Sequence, residues 1–406
     1  MITVEQAYIR GRKAGESAAK DPQWRLMAES VMEWAKKSYP ASGELDYKHE
    51  VLKLEKERLN ASLDLTKFPE CKEWMDVVRA EHKGFYDGCK DEWMTAHHFN
   101  WYWFVSRRLN TRYVRKAAPK GKCTGVWFGH GKEGPMAGQN LDDLIRPFQK
   151  FNPPEKGPSG KPFEKITLVG SASSAVLCDE EPENIFPVDV FEIMPEDINK
   201  LPDFVDFLYR YREFFGPGNM VFADTEMNSV AIEKSNCRMG VRWQKNGASA
   251  VTACAYLTPE MNAFKKERDR ISFELRGFDP VDNPDYVFWA GCEKRYRRLL
   301  ELVEKEASGM PTLQGLADIM LDHAVPFPDR ICLAGEKGHR LDWDANWTLV
   351  SSSSVLFGPT RRTLWWRKEG DKPIYETKPF LILGEGVEIR PEWIKGTRLE
   401  DGGRIC

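Results

Sequence analysis

The chain has 406 residues, 41% hydrophobic and 30% charged, with 59 Lys and Arg against 62 Asp and Glu, a formal net charge of −3. That is enough apolar material for one large core or for two or three domains, without the basic excess of a nucleic-acid binder. No apolar run approaches the ~18 residues a bilayer crossing needs, and Met1–Lys20 (MITVEQAYIRGRKAGESAAK) lacks the apolar core of a secretory signal.

Taken in chain order, the first part is helical. Asp21-Pro22 opens a segment through Tyr39 with Trp24, Leu26, Met27, Val31, Met32 and Trp34 at helical spacing and Asp21 as N-cap. Leu52–Leu65 continues the pattern, and Pro69 restarts it for a run from Glu70 to Leu109. Within that run, His97–Phe104 is too aromatic for a solvated face and reads as a core helix, with an aromatic ligand box as the alternative. The basic loop Ala117–Lys122 ends this region.

After it the chain reads as strands. Cys123–Phe128, Met136–Leu141, Ile166–Ala175 and Asn184–Ile193 are expected strands, with Pro- and Gly-rich loops at Gly129–Pro135 and Asn152–Pro162. Glu196–Phe215 reads as a helix. Asn219–Ala223 and Ser229–Lys234 form a hairpin around Asp224–Asn228, followed by strands at Arg238–Trp243 and Ala248–Leu257. Helices at Glu293–Ala307 and Thr312–His323 precede closing strands at Trp347–Leu356, Thr363–Lys368 and Ile374–Leu383. Helices, then strands, then helices and strands again point to an α+β fold rather than βαβ units.

The chemical motifs are few. No P-loop, G-x-S-x-G elbow or H-E-x-x-H occurs. Gly129-x-Gly131-x-x-Gly134 leads into a strand rather than a helix, so it reads as a turn and not a phosphate site. His97 and His98 are adjacent, which turns them apart on a helix and makes a poor metal pair. The nine cysteines include no C-x-x-C, and the nearest two, Cys237 and Cys254, lie 17 positions apart. No zinc site and no cofactor are expected. The odd count favours reduced thiols and a cytoplasmic location. Among the cysteines, Cys123 begins a strand directly after a polar loop. If the Lys122-Cys123 bond were cut, its new α-amine could serve as base toward its own thiol, and no histidine partner would be needed. The plain alternative is a buried strand cysteine.

The stretch Cys123-Thr124-Gly125, with Gly138-Gln139-Asn140-Leu141-Asp142 fifteen residues on, resembles the signature of the acyl-coenzyme A:6-aminopenicillanic acid acyltransferase family. Those are cysteine N-terminal-nucleophile hydrolases, in one class with the bile-salt and penicillin V amidases. Asn219–Lys234 resembles the family's strand-turn-strand with an acidic turn. Arg295–Leu299 is similar to its Arg-rich helix, Thr348–Ile382 to its last strands with a basic pair (Arg361-Arg362), and Gly11–Ser17 to its opening helix. The resemblance implies an αββα four-layer sandwich, a helical segment 1–122, a sandwich domain 123–406, and self-cleavage at Lys122-Cys123 into chains of 122 and 284 residues. It implies an amide hydrolase or acyltransferase working through an acyl-thioester on Cys123. The substrate would be a small amide or an acyl-CoA-like molecule. Asp142 would hold the terminal ammonium and Asn140 backbone or substrate, unless the two make only structural hydrogen bonds at a strand end.

Two departures stand beside the matches. Lys122 occupies the place of a glycine or other small residue, and Val251–Tyr256 lacks the family's oxyanion Asn. Thr124, Thr252 and Tyr256 are the candidates for oxyanion or substrate contacts in its stead. The departures keep open a catalytically silent or unprocessed member that binds an amide-like ligand or a protein partner. An unrelated α+β protein with a coincidental motif is the third reading. Neither nucleic acid nor membrane is an expected partner, and the 12% aromatic content leaves room for a homo-oligomer.

Overall fold

A computed structural model describes residues 3–38, 45–109, 123–132, 136–144, 166–172, 198, 200–224, 226–244, 250–276, 284–320, 322, 324–326, 331, 349–358, 363–369 and 375–381. The loops at Ala117–Lys122 and Asn152–Pro162, the strand expected at Asn184–Ile193 and Gly134 lie outside these residues, as do Cys178, Cys332 and Cys406.

The first helix, α1 (Val4–Lys20), is closed at its N-terminus by a capping box in which Thr3 and Gln6 exchange side chain-to-backbone hydrogen bonds. Asp21 separates it from α2 (Pro22–Ser38): its N–H donates to the Ser17 carbonyl, and its own carbonyl accepts from Trp24. The helix expected at Leu52–Leu65 is α3 (Tyr47–Asn60). It starts earlier because Asp46 caps it, accepting from the N–H groups of Lys48 and His49. The long run Glu70–Leu109 is two helices, α4 (Lys72–Cys89) and α5 (Glu92–Trp103), the second extended by a π-helical turn over Phe104–Leu109. Lys90 breaks the run in the left-handed conformation (φ 55°), and Asp91 caps α5 by accepting from Met94 N–H. His97 lies between Trp93 and Trp101, with ring centroids 5.3 Å from each, so the aromatic run has His97, Asn100 and Phe104 in the interior while His98 is exposed and Phe99, Trp101 and Trp103 are half-buried.

The helices α1 and α4 run parallel and in backbone contact. Gly11 and Gly15 of α1 face Glu81 and Phe85, while Gly84 and Gly88 of α4 face Tyr8 and Arg12. Arg10 clamps Glu81 with two hydrogen bonds, and the Tyr8 hydroxyl donates to Asp87.

Ten strands follow. They are β1 (Thr124–Phe128), β2 (Met136–Leu144), β3 (Ile166–Ala172), β4 (Gly218–Asp224), β5 (Ser229–Lys234), β6 (Met239–Gln244), β7 (Ala250–Ala253), β8 (Leu349–Gly358), β9 (Thr363–Glu369) and β10 (Tyr375–Leu381). They form a six-stranded sheet in the order β10-β9-β8-β2-β1-β7 and a four-stranded sheet in the order β3-β4-β5-β6, every pair antiparallel. The expected strands are thus present where they are described, with β7 shorter than its apolar run. Four helices accompany them: α6 (Leu201–Arg210), α7 (Pro259–Arg276), α8 (Pro284–Ala307) and α9 (Leu313–Met320). The charged helix α7 escapes the apolar reading, although Pro259 at its first turn is a start signal.

Alternation along the strands separates the faces. Val126 and Phe128 of β1 and Val251 of β7 pack against Leu299, Val303, Leu316 and Ile319 of α8 and α9. Trp127, on the other face of β1, packs against Val221, Ala223 and Ala231 of the four-stranded sheet. The far face of that sheet, with Phe222, Val230 and Ile232, is covered by Phe204 and Leu208 of α6 and by Ala7, Leu63, Trp74 and Val77 of the helical segment.

Candidate active site

Cys123 stands one residue before β1 and is buried, at 7% exposure. The strands on either side of β1 are the two that carry the other candidates. Thr124 pairs with Asn140 of β2 and with Ala253 of β7, and Gly125 pairs with Thr252. Asp142 lies two positions past Asn140, beyond the end of β1. A register shift between Leu141 and Asp142 sets it opposite Ser351 of β8. Such irregularities commonly re-aim a strand beside a site. Cys123, Thr124, Asn140, Asp142 and Thr252 therefore belong to one end of three neighbouring strands. Thr124 is fully buried, and its hydroxyl has no hydrogen-bond partner among the described residues.

Two side chains converge on the Cys123 backbone from elsewhere. Arg295 of α8 is fully buried and donates from Nη2 to the Cys123 carbonyl at 2.9 Å. The Cys254 thiol donates to the same carbonyl at 3.8 Å. Cys254 is held well above the usual thiol pKa, first by the hydrogen bond it shares with Cys292 and then by burial, against the pull of Arg295. Cys254 thus stays a neutral thiol. From the second sheet, Asn219 Nδ2 donates to the carbonyls of Ala253 (2.7 Å) and Ala255 (3.3 Å). Its Oδ1, on a residue 1% exposed, has no partner among the described residues.

The segment after β7 is tied down by a buried carboxylate. Glu233 accepts at Oε2 from the N–H groups of Leu257 and Thr258 and from the Thr258 hydroxyl, and at Oε1 from Arg242 at 2.8 Å. The Tyr256 hydroxyl donates to the Lys234 carbonyl at 2.6 Å. That commitment removes its O–H from the role of oxyanion donor expected of it, and Tyr256 acts as a strut for the loop.

Arg295 and Asn219 open two of the segments that carry the resemblance, but neither was expected beside Cys123. A signal for Arg295 exists: Cys292, Arg295, Leu299 and Val303 share one stripe of α8, and a lone arginine on a buried stripe demands a partner. Asn219 gives no such signal, because a polar residue at a strand start is ordinary. Among the described residues no group of three or more His, Cys, Asp or Glu could hold a metal ion, and no helix is long and apolar enough to cross a membrane. Compared with protein-family models and with curated proteins, the chain matches none.

Proposed function

We propose that Cys123 is the nucleophile of an amide hydrolase or acyltransferase of the N-terminal-nucleophile type. The observation that carries this reading is the buried Arg295 guanidinium 2.9 Å from the Cys123 carbonyl, at the head of the strand that bears the Cys-Thr motif. The stacking of α8 and α9, the six-stranded sheet, the four-stranded sheet and α6 supports the αββα sandwich that such enzymes use.

In the proposed reaction the Cys123 sulfur attacks the substrate carbonyl. The C–N bond breaks, the amine leaves with a proton, and an acyl-thioester remains. Water or a second amine then attacks the thioester and regenerates the thiol. Arg295 fixes the Cys123 backbone at the head of β1 through its carbonyl. The α-amine freed by cleavage before Cys123 supplies the base, and Asp142 the carboxylate that holds it as ammonium. Thr124 and Asn140 hold the substrate or the strand ends.

The test is the intact mass of the purified protein. Fragments of 122 and 284 residues, abolished by Cys123→Ala, are expected. A 406-residue species that persists through incubation removes the processing step. In that event the second reading stands, a silent or unprocessed protein that binds an amide-like ligand. It is favoured by one observation: Val251–Tyr256 offers no side-chain amide, and its Cys254 thiol, a weak donor, contacts the Cys123 carbonyl.

A further inference from the structure

The segment Val251–Thr258, which brings Cys254 to the Cys123 carbonyl, is held from the second sheet. Asn219 of β4 and Glu233 of β5 are direct cross-strand partners. They share the face that Val221 and Ala231 turn toward Trp127, so that face is apolar beneath Trp127 and polar beneath the segment. One ion pair grips the segment at both ends. Glu233 accepts from the N–H groups of Leu257 and Thr258 at 2.8 Å each, and from Arg242 Nε at 2.8 Å. The same guanidinium donates from Nη2 to the Val251 carbonyl at 3.2 Å. Between these ends, Asn219 holds the carbonyls of Ala253 and Ala255, one on either side of Cys254. Gly240, the partner of Glu233 on β6, leaves room for the segment to come down: a methyl group there would lie 2.2 Å from the Thr258 hydroxyl.

Holding two sheets together does not require this. The apolar contacts around Trp127 do it, without the desolvation cost of a fully buried carboxylate such as Glu233. What a satisfied polar network adds is a fixed position, because each bond names one backbone atom. The position fixed here is that of the strand end beside the candidate nucleophile. Ala253 pairs with Thr124, so any shift of the segment passes to the head of β1.

We propose that Glu233, acting with Arg242 and Asn219, is a positioning residue for the chemistry of Cys123, and that self-cleavage at Lys122-Cys123 depends on its grip. The proposal rests on the reading of Cys123 as a self-processing nucleophile. In that step the Cys123 sulfur takes the Lys122 acyl group from the Cys123 nitrogen, which keeps the thiol proton and becomes the new α-amine. Water then splits the thioester into a Lys122 carboxylate and the free thiol. A displacement of about 1 Å at the reacting groups costs about a hundredfold in rate.

The test is cell-free synthesis of the full chain, with intact mass read at intervals to give the half-time of cleavage. Glu233→Gln keeps one acceptor oxygen and is expected to lengthen the half-time about tenfold or more; Glu233→Ala, with none, lengthens it further. Tyr256→Phe frees the same segment by removing its hydroxyl from the Lys234 carbonyl, and should slow cleavage as well. Gly11→Ala is the control for lost stability. Its clash is with the Glu81 backbone in the helical segment, so it should leave the half-time unchanged. A wild-type half-time in Glu233→Gln, or equal slowing in Gly11→Ala, overturns the proposal and leaves the nucleophile standing. A wild-type chain that never cleaves removes the self-processing reading and this proposal with it. If Glu233→Gln does not fold, Tyr256→Phe decides alone.

Discussion

Gly11→Ala tests the contact on which the helical segment is built. A methyl group at Gly11 would lie 2.1 Å from the Glu81 carbonyl oxygen and 3.0 Å from its carbon and from the Phe85 nitrogen, all of them backbone atoms that cannot rotate away. Ordinary van der Waals contact begins near 3.4 Å. The α1 and α4 axes must therefore part by roughly 1 Å, which weakens dispersion contacts along the whole pair. Overpacking of this kind costs about 1–3 kcal/mol, while alanine returns about 0.5–1 kcal/mol of helix propensity. A net loss of about 1–2 kcal/mol is expected from urea unfolding followed by circular dichroism. Gly84→Ala makes the mirror-image clash, 2.1 Å from the Tyr8 carbonyl oxygen. Axes already parted for one methyl group admit the second more cheaply, so the double variant should lose less than the sum of the singles. Gly309→Ala is the control, since its nearest neighbour would be 3.9 Å away. A neutral or stabilising Gly11→Ala, or strict additivity with Gly84→Ala, would refute the close parallel packing.

The other expectations concern charge. Arg295→Met should cost about 1–3 kcal/mol in the urea assay, because the buried Cys123 carbonyl loses its charged donor; an unchanged stability would deny Arg295 that anchoring role. Glu233→Ala should cost about 1–3 kcal/mol, because the half-buried donors of Arg242, Leu257 and Thr258 lose their shared acceptor; a loss below about 0.5 kcal/mol in the same unfolding assay would deny the carboxylate that anchoring role. His97 is pushed down to about 4, first by burial and then by His98. The unfolded chain thus binds a proton between the ordinary value of about 6.5 and 4 that the folded chain refuses. This term leaves stability whole above about pH 6.5 and removes about 3 kcal/mol as pH falls to 4. His97→Leu should flatten that slope, and an unchanged slope would show that His97 does not drive it.

The residues explain what could be read in advance. Strands such as β4 and β5 were legible because every second side chain, Phe222, Val230 and Ile232 on one face and Val221, Ala223 and Ala231 on the other, is apolar in the four-stranded sheet. The break at Lys90 was not, since a lysine in the left-handed conformation carries no glycine signal, and Asp91 alone marks the new helix. At the candidate site, β1 and β2 were legible as consecutive strands, and their pairing sets Thr124 opposite Asn140. Arg295 and Asn219 reach that place from 172 residues away and from the other sheet, and only the tertiary fold brings them there. The Tyr256 hydroxyl shows the converse: its type suited an oxyanion, but its O–H donates to the Lys234 carbonyl at the end of β5.

The pairing of β2 with β8 has a consequence for biosynthesis. The partner of β2's outer edge is encoded about 200 residues later. At roughly 5–20 residues per second, β1 and β2 leave the ribosome some 10–40 s before Leu349–Gly358 exists to cover them. For that interval the hairpin that carries Cys123 shows an open edge to every other nascent chain. A ribosome that stalls before Leu349 would release a protein whose β1–β2 hairpin is in place and whose six-stranded sheet is unfinished. Such a product should be recognised by its tendency to aggregate, although Cys123, Thr124 and Asn140 are all present in it.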